Sequence, residues 1–182
     1  MVAGTNGKIL HVDLTGERTW DEEVADAIYR RYLGGGAMAC YFLLRDLKAD
    51  AGPFSPDNLL AFTTSVICGL PLSGTNRFTA AAKSPLTLGY GESEAGGWWG
   101  PELKAAGYDA VLLHGRASKP AYLFVHDGKA ELRDASRYWG KLSGEVQDGL
   151  VEELGDKRIR VLQCGVAGEN RVRFAAIVNE LR

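Results

Sequence analysis

The residues best placed to do chemistry lie between Ser73 and Asp109, in SGTNRFTAAAKSPLTLGYGESEAGGWWGPELKAAGYD. Gly74, Gly89, Gly91, Gly96, Gly97, Gly100 and Gly107 surround two cations, Arg77 and Lys83, and a tandem Trp98-Trp99. Glycine lets the backbone turn at positive φ and lets a ligand approach the main chain closely. Arginine offers a planar fork of donors suited to phosphate, and lysine a compact charge. Such a segment suits a large, flat, phosphorylated ligand better than a hydrophobic core.

Gly96-Gly97 stands immediately before a predicted short helix, which places free N–H groups and the positive dipole end at a glycine-lined opening. Arg77 and Lys83 are six residues apart, an even offset that puts both on one face of an extended segment. Both can therefore face one phosphate-bearing ligand; the alternatives are a carboxylate partner for Arg77 and plain solvation for Lys83. Trp98-Trp99 offers a stacking wall or simply buried area. Gly165–Asn170 (GVAGEN) superficially resembles a nucleotide loop, but without G-x-G-x-x-G or a P-loop lysine that signal is weak.

The rest of the composition bounds the function. A chain of 182 residues, 46% hydrophobic and 24% charged, is long enough for one domain with a real core. Glycine supplies 23 residues, about 13% against a usual ~7%, with only 6 prolines, which points to tight turns and not to a disordered linker. A net charge of −2 gives no electrostatic footprint for nucleic acid. No apolar run reaches membrane-spanning length, and MVAGTNGKILHVDL lacks signal-peptide features, so a cytoplasmic location is expected. Cys40, Cys68 and Cys164 are scattered among apolar neighbours and read as small buried hydrophobes, not as metal ligands. His11, His114 and His126 each fall in a strand-like run and read as satisfied residues on a sheet face.

The elements that position these loops are mixed. Lys8–Leu14 alternates like a half-buried strand, with Glu17–Glu23 returning as its hairpin partner. Helical spacing covers Asp21–Leu33, ended by Gly34-Gly35-Gly36, and a second helix covers Ala37–Lys48. Leu59–Ile67 is apolar enough for a central strand. Phe78–Lys83 is a strand, and Gly97–Ala106 a short helix with Pro101 and Glu102 in its first turn and Gly107 as its cap. Ala110–His114, Ala121–Val125 and Lys129–Arg133 are strands, the last two joined by an Asp127-Gly128 turn. Ser143–Leu154 is a helix with Ser143 as N-cap, Arg158–Gly165 a strand, and Val172–Val178 a strand or the start of a buried helix. Hairpins outnumber βαβ units, so the fold class is α+β, with mixed, largely antiparallel sheets and several short helices.

The order of motifs resembles the N-terminal domain of the aldehyde:ferredoxin oxidoreductase family, the tungsten or molybdenum bis-pyranopterin enzymes. The stretches that carry the resemblance are GKILHVDLTG (Gly7–Gly16), YLGGGAMA (Tyr32–Ala39), FSPDN (Phe54–Asn58) and GLPLSGTNRFTAAAKSPLT (Gly69–Thr87). AGGWWGPELKAAGYDAVLLHGRASKPAYL (Ala95–Leu123), the RDAS and WGK pieces of Arg133–Lys141, and CGVAGEN with VRFAAIVNE (Cys164–Glu180) follow in family order. The resemblance implies that residues 1–182 form the cradle on which a metallopterin lies. Arg77 matches the family's arginine between the pterin and a 4Fe-4S cluster, and Ala95-Gly96-Gly97 its turn near the pterin phosphates. A branched side chain at Gly96 is expected to block backbone approach and to strain any positive φ there. Glu94 stands where many members have an Asn whose carbonyl helps hold magnesium between the phosphates. This departure suggests a distinct branch.

The chain ends at NELR, where family members continue into an A-G-R-x-G segment and then into domains carrying the cluster cysteines. The resemblance therefore implies a truncated N-terminal domain, inactive alone. Its expected partners are the missing C-terminal domains, ferredoxin or an iron–sulfur electron-transfer subunit, and a second copy in a homodimer. Three readings stand: part of an enzyme oxidising aldehyde to carboxylic acid, the equivalent domain of an aromatic acyl-coenzyme A reductase, or a non-catalytic assembly module.

Overall fold

A computed structural model describes residues 4–180. Met1 to Ala3 of the N-terminal stretch, and Leu181 and Arg182 of the NELR terminus, lie outside the described residues. A six-stranded sheet forms the centre, in the order β2-β1-β6-β3-β4-β5. Its strands are β1 (Lys8–Asp13), β2 (Arg18–Glu23), β3 (Leu60–Thr64), β4 (Phe78–Lys83), β5 (Tyr90–Ala95) and β6 (Ala110–His114). Only β1 and β6 run parallel; the other neighbours are antiparallel. The α+β expectation holds.

Alternation along the strands builds two cores, one on each face. On one face Ile9, Ala61, Ala81, Ala110 and Leu112 pack against α1 (Asp26–Tyr32) and α2 (Gly35–Asp46) through Tyr29, Met38 and Phe42. On the other, Leu10, Val12, Phe62, Phe78 and Val111 meet α3 (Trp99–Ala105) and the hairpin of β7 (Ala121–His126) and β8 (Lys129–Asp134). A smaller cluster of Tyr138, Leu150 and Val161 seats α4 (Ser143–Leu154). The chain then forms β9 (Leu162–Gln163), α5 (Gly165–Glu169) and β10 (Val178–Asn179), which pairs with β9.

Four departures from the sequence-based expectations have physical causes. Asp21–Glu23 belong to β2, because the ladder to β1 extends to Lys8 opposite Glu23 and outcompetes the helical spacing. The first helix ends at Leu33 (φ 59), and Gly35-Gly36 open the second helix instead of closing the first. At Gly34 (φ 94) a β-carbon would meet the Thr64 carbonyl oxygen at 2.2 Å, so close backbone approach demands glycine there. Strand β5, read from sequence as part of a glycine-rich loop, lacks apolar alternation because it is a largely exposed edge. The N-cap of α4 is Leu142, whose N–H donates to the Glu145 carboxylate at 2.9 Å; Ser143 is the first helical residue. Downstream, β9 and β10 are much shorter than expected, and Phe174 is exposed.

Candidate functional site

The glycine-rich segment folds into a ledge at one end of β4 and β5. Phe78 lies opposite Ala95, so Arg77 and Gly96 meet just beyond the ladder. Thr75 is buried and its hydroxyl donates to the carbonyls of Leu70 and Leu72, at 3.0 and 2.9 Å. That pins the loop that delivers Arg77. The Arg77 side chain is exposed and makes no hydrogen bond or ion pair among the described residues. Among the described residues a β-carbon on Gly96 would meet only the Asn76 carbonyl oxygen, at 4.0 Å, which leaves space over its α-carbon. Gly97 turns the chain at φ +99. The tandem tryptophans divide: Trp99 packs on Phe62 and Phe78, with ring centroids 5.6 and 4.7 Å away, and anchors α3 in the core. Trp98 is exposed at the lip of the ledge.

Of the remaining expected site residues, Ala95 joins the core beneath the ledge. Glu94 lies opposite Thr79 on the α2 side of the sheet, exposed, with its side chain on the same face as those of Tyr90 and Glu92. Tyr90 donates to the Gly36 carbonyl and to Glu92, at 2.9 and 2.7 Å, and burial followed by the Glu92 hydrogen bond pushes its phenol pKa up. Lys83 is on the same face as the even offset implies, but at the far end of β4, roughly 20 Å along the strand from Arg77. Its ammonium lies 3.4 Å from the Ala49 carbonyl. The structure brings Arg77, Gly96, Gly97 and Glu94 to one end and leaves Lys83 at the other.

The sequence reading missed the contribution of the C-terminal segment. Asn179 donates its side-chain amide to the Gly96 carbonyl at 2.9 Å, and the Glu180 carboxylate accepts the Trp98 N–H. Sequence separations of 83 and 82 residues hide such contacts from any local pattern.

A second polar cluster lies near the other edge of the sheet. Register places His11 beside Leu112, and therefore next to His114 on the same face. His11 Nδ1 and His114 Nε2 share a hydrogen bond of 2.9 Å, and His11 Nε2 pairs with Glu22 at 2.7 Å. Trp20 stacks on both rings, and Arg45 clamps Glu22 at 2.6 and 2.9 Å. These are satisfied histidines on a sheet face, as expected. Burial, then the neighbouring His11, lowers the His114 pKa below its usual 6.5. A histidine with a depressed folded pKa binds its proton more readily when unfolded, so its contribution is present above pH 6.5 and is lost as pH falls. Although burial alone would raise the Glu22 pKa, the Arg45 and His11 hydrogen bonds hold it below 4.5, so its contribution fades only in stronger acid. The melting temperature is expected to decline as pH falls from neutral through 6.5 into mild acid, and His114→Gln to flatten that limb. Parallel declines in both proteins across that window would exclude His114 as the cause.

Cys68 is buried and Cys40 half-buried, but Cys164 is exposed. The expectation of a buried thiol fails there because Cys164 caps the short surface helix α5. Among the described residues no group of three or more His, Cys, Asp or Glu is arranged to hold a metal ion. No helix among them is long and apolar enough to cross a membrane.

Comparison with known proteins places this geometry in context. The family described as "Aldehyde ferredoxin oxidoreductase, N-terminal domain" matches residues 9–182. The tungsten-containing aldehyde ferredoxin oxidoreductase of Pyrococcus abyssi is 44% identical over 177 residues, which covers 95% of this chain and 28% of that protein. The aliphatic sulfonate oxidoreductase, WOR-like subunit, of Pyrococcus furiosus is 35% identical and covers 97% of this chain and 30% of its own length. Among solved structures, the active site complex BamBC of benzoyl coenzyme A reductase, in complex with 1,5 dienoyl-CoA, matches at a TM-score of 0.95 and 37% identity. That match covers 98% of this chain and 27% of the other. The chain thus spans less than a third of the length of these relatives.

Proposed function

The chain belongs to the aldehyde ferredoxin oxidoreductase family, whose N-terminal domain it matches, and on that premise we propose that it is the base on which a tungsten or molybdenum bis-pyranopterin lies. One observation carries the proposal: Arg77, exposed and unpartnered among the described residues, leaves the end of β4 opposite Gly96 and close to the left-handed turn at Gly97. A glycine ledge with a free fork of donors fits a flat, phosphorylated group. When bound, that cofactor supplies the metal and the two-electron chemistry.

The residues of this chain bind and orient. Arg77 would donate to the cofactor's anionic edge, and in the complete enzyme would link it to a 4Fe-4S cluster held by the remainder of the protein. Gly96 admits the phosphates to the main chain. The Glu94 carbonyl, not its carboxylate, would help hold a magnesium ion that offsets the phosphate charge. The exposed Trp98 ring walls the lip. Lys83 joins only a ligand that spans the length of β4. The reaction assigned to the whole enzyme is oxidation of an aldehyde to a carboxylic acid in the cytoplasm. Its two electrons pass to ferredoxin or an iron–sulfur subunit.

A second reading, the equivalent domain of an aromatic acyl-coenzyme A reductase, is favoured by the close likeness to the benzoyl coenzyme A reductase complex. Both readings give this domain the same cradling role, and they differ in residues outside it.

Arg77→Ala in the complete enzyme is expected to lower tungsten or molybdenum content, or ferredoxin reduction, by about tenfold or more, the worth of a charge-assisted contact. Metal analysis and ferredoxin-linked turnover check it together. Normal values for both would remove Arg77 from the site.

A further inference from the structure

We infer that Glu180, steadied by Arg160, is a positioning residue that sets the Gly96–Trp98 turn against which the phosphorylated cofactor rests. The cofactor part of this inference rests on the reading above; the contact itself does not. Three consecutive residues are gripped from the end of β10. Asn179 holds the Gly96 carbonyl, the Glu180 carboxylate holds the Trp98 N–H, and both side chains wrap the bare α-carbon of Gly97. A β-carbon on Gly97 would lie 2.8 Å from Asn179 Nδ2 and 2.8 Å from Glu180 Oε2.

The chemistry explains why a carboxylate is used. Trp98 precedes α3, so its N–H has no partner within the helix and must find one outside. An acceptor beside a phosphate ledge would ordinarily repel the ligand. Arg160 offsets that charge: its Nε is 4.0 Å from Glu180 Oε1, is buried, and has no hydrogen-bond partner of its own. The pair is itself close to neutral, so Glu180 adds little net charge to the end of the sheet that carries Arg77 and Glu94. Glu180 also sits at φ +49, an unfavourable conformation for an L-residue, which these contacts must hold in place.

Amide hydrogen exchange at Trp98 in the complete protein tests the contact without reference to cofactor. Glu180→Ala is expected to speed exchange there by about tenfold, the effect of one lost hydrogen bond at an otherwise open amide. Amides of β3 should be unaffected. Glu180→Gln retains an acceptor and should restore most of the protection, while Arg160→Met should give an intermediate value. Unchanged exchange at Trp98 in Glu180→Ala overturns the inference. So does an equal rise across β3, which would mark general destabilisation. Metal and pterin analysis of the same proteins separates the two proposals. Wild-type cofactor content in a Glu180→Ala protein with a freed turn overturns the positioning role. Absence of metal and pterin from the wild-type protein overturns the cofactor reading of the ledge, while the exchange data still decide whether Glu180 sets the turn.

Discussion

Asp109→Ala is expected to lower the stability of this domain by about 3–5 kcal/mol, the usual effect of breaking a buried, hydrogen-bonded ion pair. For a protein of this size that is a fall of about 6–20 °C in melting temperature. Asp109 is 2% exposed, and its carboxylate accepts from the Asn6 and Gly7 N–H groups and from the Tyr29 hydroxyl. Lys104 of α3 lies 3.6 Å away and is itself nearly buried. Burial, and then the Asp109 carboxylate, pushes the Tyr29 phenol pKa well up, so Tyr29 remains a donor. Alanine would strand these donors and leave the Lys104 ammonium without its counter-charge.

The backbone of Asp109 adds to the case. Its N–H donates to Lys8, and its carbonyl accepts from both the N–H and the hydroxyl of Thr64. The residue therefore joins the N-terminal loop, α1, α3 and β3. Asp109→Asn should fall between wild type and alanine, because one amide N–H₂ would face donors. Removing the stranded charge as well, in Asp109→Ala with Lys104→Met, should recover part of the loss. Thermal unfolding of the variants within 2–3 °C of wild type would mean that the carboxylate is not the junction its contacts indicate, since each kcal/mol moves such a domain by about 2–4 °C.

Asp109 also illustrates what could be read from the sequence. Apolar strands packed on both faces were legible: Phe78–Lys83 and Ala110–His114 form as expected because β4 and β6 lie inside the sheet between packed layers. Strand β5 was not, because an edge exposed on both sides carries no periodic signal. The ledge was visible through its glycines and Arg77, residue types whose backbone freedom and charge are local properties. Long-range capping was invisible: nothing near Trp98 announces that an acidic residue 82 positions later will accept its N–H. Lys83 shows the limit of strand parity, which fixes the face of a side chain but says nothing about its distance from a site.

Gly97→Val is expected to be the most damaging substitution on the ledge itself. The sequence reading allowed for strain from any positive φ at Gly96; the left-handed residue is Gly97, at φ +99, and Gly96 is not in that region. A β-branched residue held there carries a conformational penalty of about 1–2 kcal/mol. Its β-carbon would also press on Asn179 and Glu180, each 2.8 Å away. Those are side-chain ends and can retreat, so the domain should fold, with a loss of about 2–3 kcal/mol. Their retreat, however, frees the Gly96 carbonyl and the Trp98 N–H and disorders the surface that faces the cofactor. Metal and pterin content should therefore fall much further than stability. Gly96→Ala provides the contrast: with only the Asn76 carbonyl at 4.0 Å, it should leave melting within about 0.5 kcal/mol of wild type, as surface substitutions do. If it still lowers cofactor content, the phosphates approach that backbone closely. If Gly96→Ala retains full cofactor while Gly97→Val loses stability and cofactor in proportion, the glycines serve the fold and the ledge is not the cradle.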